Sequence, residues 1–290
     1  MISREWGESM SFYFVMLSFF MYGFLGWCTE VVFAAVKEQH FVNRGFLNGP
    51  ICPIYGLGVT SVVFFLSGFR ENLVLLYIAS VILVTVLEGI TGYLMEKIFH
   101  ARWWDYSNMP LNIGGYVCVL FSLVWGAACV LIVDFIHPLI MKLLFMIPYW
   151  IGVFFLTGFS IGIISDLYVT AASILKMNKR LAAMQDIAEK LHQISDEIGE
   201  NIFENVMEAM ENRDEMKQKS KEFTDEMEQR RKEFKDEIEQ HRKELIDKYH
   251  EISEAIQTKN HRLLKAFPRL DSKSHQEVFH YIKNKFDKRK

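Results

Sequence analysis

The first 175 residues are almost without charge. They hold 17 charged side chains (7 Lys/Arg and 10 Asp/Glu), whereas residues 176–290 hold 50, with 25 of each sign. The first part therefore reads as membrane protein and the second as a solvated, charge-laced helix. A net charge of −3 gives no basic balance, so nucleic acid is not an implied partner. The four cysteines, Cys28, Cys52, Cys118 and Cys129, show no CxxC or metal-ligand spacing. They read as small apolar fillers in a reduced setting. None of the nine histidines stands at metal spacing on a helix. No nucleophile elbow, redox motif or phosphate-binding GxxxxGK[ST] loop occurs. An enzyme is not expected, no cofactor is called for, and this chain alone does not drive transport with ATP.

What the first part does contain is long uncharged runs: Ser9–Thr29, Gly45–Phe69, Ile113–Val133 and Leu143–Ser165. Asn72–Leu87 is shorter but continues past Glu88 to Met95. A helix needs about 20 apolar residues to cross the hydrocarbon. About five spans follow, near 10–35, 51–68, 72–96, 113–135 and 147–170. The first is too long for a signal peptide, and no small-x-small cleavage site follows it. Lys37, Arg44, Lys97, Arg102, Lys176, Lys179 and Arg180 flank one side, against Arg4, Arg70 and Lys142 on the other. That asymmetry predicts the N-terminus outside and the C-terminus in the cytoplasm.

Two stretches within these spans repeat one another. Gly26-Trp-Cys-Thr-Glu30-Val-Val-Phe33 and Gly92-Tyr-Leu-Met-Glu96-Lys-Ile-Phe99 are both Gly-aromatic-x-x-Glu-x-x-Phe. Each is followed by a loop closing on Leu-Asn, at Leu47-Asn48-Gly49-Pro50 and at Leu111-Asn112. With two helices per copy, the copies run parallel about an axis along the membrane normal. An acid near a bilayer is costly, so its double occurrence marks the candidate site.

The first loop puts Pro50, Pro53 and three glycines into residues 45–56, with Tyr55 at its end and no charge after Arg44. Two readings are open: a re-entrant turn covered by protein, or an ordinary loop leading to a proline-started helix. The second loop, Arg102-Trp-Trp-Asp105-Tyr-Ser-Asn-Met-Pro110, reads either as an interfacial aromatic anchor or as a source of partners for the other motif. Arg44 with Glu96, or Arg102 with Glu30, would be cross-copy ion pairs. Glu88 lies deeper on the Glu96 helix and has no basic residue in its span. It is either a structural acid or part of a proton or cation path, with Asp166 or Asp134 as its expected neighbour. Gly158-x-x-x-Gly162 is a weak signal for helix pairing.

The run Gly26-Trp27-x-x-Glu30, with Asn43-Arg44-Gly45-Phe46-Leu47-x-Gly49-Pro50 and Pro53-Ile54-Tyr55-Gly56, resembles the bacterial ABC-transporter permease family of the CmpB type ("type IV"). The likeness covers roughly residues 10–170. It implies a multi-pass protein of the bacterial plasma membrane with no established substrate.

The charged part carries its own repeat. Glu222–Lys232 and Glu233–Lys243 match at a period of eleven, aligning Met216, Met227, Ile238 and Tyr249, and also Phe223, Phe234, Leu245 and Ile256. That period gives a straight or gently right-handed coil. Met184, Ile187, Leu191, Ile194 and Ile198 instead follow a heptad seam, so a bend or packing shift is expected near Gly199–Val206. If unbroken, residues 176–262 would extend about 130 Å. The helix is either free-standing or the seam of a dimer. Pro268 is expected to end it, and Ser274 with Glu277 to open a short helix by a capping box. Val278, Phe279, Ile282 and Phe286 would then face an anionic membrane or the coil.

These readings give an all-α chain with three parts: a membrane bundle with a parallel two-helix repeat (1–170), a long cytoplasmic coiled-coil helix (171–266) and a basic amphipathic helix (267–290). The expected function is a permease-like subunit, or else a membrane-anchored scaffold that recruits cytoplasmic partners. Expected partners are the lipid bilayer, a second copy, and an ATPase or other cytoplasmic protein. The candidate site residues are Glu30, Arg44, Asn48, Gly49, Pro50, Pro53, Tyr55, Glu88, Glu96, Arg102, Asp105 and Asn112.

Overall fold

Apolar residues on nearly every face let the first helices form and lie in lipid. The computed structural model describes residues 11–211, 221–267, 270–272 and 275–287. Helix α1 spans Phe12–Glu38 and α2 spans Pro53–Leu66, extended by a 3₁₀ turn at Ser67–Phe69. Helix α3 spans Leu73–Phe99 and is capped by Asn72, whose side-chain oxygen accepts the Leu75 N–H at 3.1 Å. Both motif-bearing helices end on a left-handed residue, Gln39 after α1 and His100 after α3. Strand β1 (Ala101–Arg102) follows, and then β2 (Asn112–Ile113) and β3 (Val117–Cys118) form a hairpin. Gly114 and Gly115 make its turn at φ of 62° and 75°, where a Cβ would be strained. Helix α4 (Val119–Leu131), a π-helical turn (Ile132–Ile136) and α5 (His137–Phe145) form one continuous rod. Helix α6 runs from Tyr149 to Glu211.

The chain is all-helical apart from these two-residue strands, and several helices suit a membrane. Among the described residues, Phe12–Lys37, Leu73–Phe99, Val119–Phe145 and part of α6 are long and apolar enough to cross one, while Pro53–Phe69 is shorter. The fourth apolar segment starts at 119 and not 113, because residues 112–118 are spent on the hairpin. It also runs on to Phe145, beyond the expected end at 135.

The packing divides the chain into two compact units. One contains the chain up to Lys176 with Asn260–Ser274, and the other contains Met177–Lys259 with His275–Lys290. In the first, α1 packs mainly on α2 and α3 mainly on α4. Val62, Val63, Leu66, Leu76, Cys129 and Val133 form one core, and Leu17, Tyr22, Ile140, Met141 and Leu144 form another. Ile82, Val86 and Ile90 on α3 and Phe154, Ile161 and Ile164 on α6 stay exposed, as lipid-facing surface requires.

Close approach depends on small residues. A Cβ on Gly26 would meet Tyr55 Cβ at 2.4 Å, and one on Gly126 would meet Val81 Cγ2 at 2.3 Å. Gly158 and Gly162 have open space around them, so the GxxxG pair is not a contact within this chain.

In the second unit, α6 continues as helix through Gly199–Val206, where a bend was expected. The heptad seam changes along its length: Met184 and Ile187 are buried, and Leu191, Ile194 and Ile198 are half-buried. Helix α7 spans Lys221–Lys259. The 130 Å rod is not formed, because Asn260, just after α7, donates to the Ser173 hydroxyl at 3.1 Å and so lies 87 residues back along the chain. Helix α8 (His261–Ala266) and β4 (Asp271–Ser272) complete the returning segment. Helix α9 (Gln276–Asp287) packs on α7 through buried Val278, Phe279, Ile282 and Phe286, with Tyr281 5.5 Å from Tyr249. Its apolar face therefore docks on the long helix and is not offered to a membrane. Met216, Pro268 and Ser274 lie outside the described residues, as do the side chains of Phe223, Met227 and Phe234.

Candidate functional site

Both motif acids lie near the ends of their helices, and each is met by the arginine of the loop that follows. Arg44 Nε stands 3.3 Å from Glu30 Oε2, and Arg102 Nε donates to Glu96 Oε2. The expected cross-copy pairs are thus replaced by pairs within each motif. The reason is local: each loop folds back along its own helix, so its arginine arrives first at its own acid. Arg44 also sits 5.1 Å over the Phe33 ring and Arg102 5.2 Å over the Tyr116 ring. Glu96 is the more enclosed acid, at 8 % exposure.

Fold-back is deep. The Cys52 N–H donates to the Gly23 carbonyl at 2.9 Å. Gly23 is 15 residues before the end of α1, so the loop retreats about 22 Å along that helix. Pro53 then opens α2, where a missing N–H costs nothing. The two open readings are thus combined: the loop turns back into the bundle, and a proline starts the helix from there. The second motif uses matching contacts. Gly23 faces Ile51 and Gly89 faces Val117, and both partner pairs lie 66 positions apart in sequence, as do Glu30 and Glu96, and Cys52 and Cys118.

Side-chain amides hold each loop. Asn43 Oδ1 accepts from the Trp27 indole at 2.8 Å and from the Gly45 N–H at 3.1 Å, and its amide donates to the Asn48 carbonyl at 2.8 Å. Asn112 does the same in the second loop, donating to the Met109 carbonyl at 2.8 Å and accepting from the Gly115 N–H at 3.1 Å. Asp105 accepts from the Ser107 hydroxyl and N–H at 2.5 and 2.9 Å and lies 3.4 Å from Arg102. Burial alone would raise the Asp105 pKa, but these donors outweigh it and hold it below the ordinary carboxylate value. For Arg102, burial pulls the guanidinium down, and its bond and attraction to Glu96 more than restore it.

The first loop is clamped between opposite charges. Asp166 on α6 accepts from the Gly49 N–H at 2.7 Å, the Asn48 N–H at 3.1 Å and the Asn48 amide at 2.7 Å. From the returning segment, the Arg262 guanidinium donates to the carbonyls of Gly45, Phe46 and Leu47 at 2.9–3.0 Å. Burial lowers the Arg262 pKa, and the charge of Asp166 opposes that shift. The same segment reaches the second loop, where β4 pairs antiparallel with β1 and Phe267 lies 6.4 Å from Trp103. Trp103 is buried, 5.7 Å from Phe46 and 5.5 Å from Phe99. It therefore joins the two loops and does not anchor in an interface.

Neither expected neighbour reaches Glu88. Asp166 is committed to the first loop, and Asp134 lies 2.9 Å from Arg70 at the opposite end. The contact that Glu88 does make is to Tyr106, whose hydroxyl donates to Oε1 at 3.2 Å. Tyr55 likewise donates to Glu30 Oε1 at 2.8 Å. Pro50 is exposed and makes no polar contact that defines the site. Asn43, Tyr106 and Arg262 are missing from the sequence-based set. Asn43 and Tyr106 stand in stretches already singled out, whereas Arg262 lies 217 residues from Gly45 and carried no signal.

The fold and this site define a multi-pass helical membrane protein with two acid–arginine loop clusters. The chain belongs to the family described as "Putative ABC-transporter type IV", whose model matches residues 17–171. No curated protein and no solved structure matches.

Proposed function

We propose that the chain is the membrane subunit of a transport system, that the two loop clusters form its gate, and that a separate ATPase supplies the energy. The observation that carries this reading is the pair of Glu–Arg contacts, Glu30–Arg44 and Glu96–Arg102, set on loops folded back into the bundle. Irregular backbone at such depth is tolerated where it lines a protein-covered path. The family description supports an ABC-transporter connection. The charge asymmetry of the flanks supports a cytoplasmic gate and C-terminus in the bacterial plasma membrane. The two motifs are read as an internal duplication that brings their loops together. The test is purification of the full chain from its native membrane, followed by assay of ATP hydrolysis. A co-purifying ATPase whose rate falls in Arg44→Gln/Arg102→Gln supports the reading, and the absence of any hydrolysing partner sinks it.

A second reading is favoured by the end of α6. Ile202, Phe203, Val206 and Met207 are all about half exposed or more. A scaffold that pairs with a second copy through its long helices would cover them. Disulfide crosslinking of single cysteines along 202–207 and 238–256 checks this, and failure to form a symmetric dimer contradicts it.

A further inference from the structure

The ion pairs leave two hydroxyl–carboxyl contacts unused, Tyr55 with Glu30 and Tyr106 with Glu88. The rings of both tyrosines pack on one helix. The Tyr106 ring stacks on Phe121 at 5.0 Å, and the Tyr55 ring meets Trp125 edge-on at 6.1 Å. Phe121 and Trp125 are one turn apart on the same face of α4. Both tyrosine rings therefore meet that face of α4, with no direct hydrogen bond between their hydroxyls.

Their electrostatics agree. Burial, the largest cause, holds the Tyr106 hydroxyl above its ordinary pKa, so it stays protonated and able to donate. Glu88 Oε2 is buried without a hydrogen-bond partner, and among the described residues no Lys, Arg or His pairs with Glu88. A carboxyl placed this way is stabilised by carrying a proton. Once protonated it both donates and accepts, as a tyrosine hydroxyl does.

We infer that Glu88, Tyr106, Tyr55 and Glu30 form one exchangeable proton site, bridged by water between the two tyrosine hydroxyls, with Glu88 as its deep end and Glu30 as its end at the loops. Proton transfer along it forms and breaks only O–H bonds. Glu88 gives its proton to the Tyr106 oxygen as Tyr106 releases its own to a bridging water, which hands one of its protons to Tyr55. Tyr55 in turn passes one to the Glu30 carboxylate, so a single proton moves and each hydroxyl is restored. The charged and titratable groups facing this line are Arg44 from the first loop, Cys52 ahead of α2 and Cys118 ahead of α4. Helix α4 presents the rings of Phe121 and Trp125 to it. Naming the proton as the coupling ion rests on the transport reading, whereas the existence of the site does not.

Infrared spectroscopy of the purified full chain in lipid nanodiscs, titrated with pH, tests it without any partner or substrate. The wild type is expected to show a protonated-carboxyl C=O band that is lost in Glu88→Gln and regained in Glu88→Asp. In Tyr106→Phe the band moves to the frequency of an acid without a hydrogen bond. In Tyr55→Phe, which does not touch Glu88, the pH at which the band disappears shifts by about one unit, a tenfold change in proton affinity. Both Phe variants keep their rings, and retained helicity confirms their fold. A folded wild type without a Glu88-dependent band overturns the proposal, as does a Tyr55→Phe titration that overlays the wild type. Either result leaves the ATPase test of the transport reading untouched, and failure of that test leaves this band in place.

Discussion

Each arginine of the site balances an acid in a different setting. Glu96 is 8 % exposed, so losing Arg102 removes a cation from beside a nearly buried charge. Arg102→Ala is expected to destabilise the chain by about 2–4 kcal/mol after allowing for the arginine's own partial exposure. Arg44→Ala is expected to cost only about 1 kcal/mol, because Glu30 is a quarter exposed and keeps the Tyr55 hydroxyl. Thermal unfolding in detergent measures both, and equal losses would contradict the ranking. Asp105 supplies a pH dependence. Its folded pKa lies below the ordinary carboxylate value, so its contribution is complete at neutral pH and fades as pH falls through the folded value. Asp105→Asn should flatten the loss of stability in that acid range. The within-motif pairs were legible as residues but not as partners. An arginine 6 or 14 residues from an acid closes a smaller loop than one in the other copy, and that cost favours the nearer pair.

Among the elements, the returning segment is the least legible part of the molecule. Arg262 sits in a stretch whose sequence shows only charge and helix propensity, while its partners are backbone carbonyls, which leave no mark on sequence. Arg262→Ala uncovers three acceptors and is expected to cost about 1–3 kcal/mol and to speed proteolysis within residues 43–50. Unchanged cleavage there would show that Asp166 and Asn43 hold the loop alone. Helix packing gives a sharper contrast. Gly26→Ala drives a methyl into Tyr55, with an expected loss of about 1–3 kcal/mol. Gly158→Ala meets open space and should be neutral or slightly stabilising. The hydrophobic runs located the long apolar segments among the described residues, because lipid exposure demands them whatever the packing, but they stopped short of α5. They misplaced the start of α4, since Gly114 and Gly115 with positive φ turned the uncharged residues 113–118 into a hairpin.

At the scale of the whole molecule, one end of the bundle gathers both motifs, both fold-back loops and the segment Asn260–Ser272. The other end has the Arg70–Asp134 pair beside a π-helical turn. The site is thus one-sided, and its side decides its role. Single cysteines at Asn48 and Glu71, in a background freed of native cysteines, should react with impermeant reagents from the cytoplasmic and outer faces respectively. The central claim is that the motif acids, and not the charged helices alone, carry the function. The most direct measurement is rescue of a strain lacking this chain by Glu30→Gln/Glu96→Gln and by a chain ending after Lys176, with equal membrane insertion confirmed. Failure of the Gln variant to rescue is the expected result. Full rescue by that variant, with loss only on removal of the tail, would contradict it.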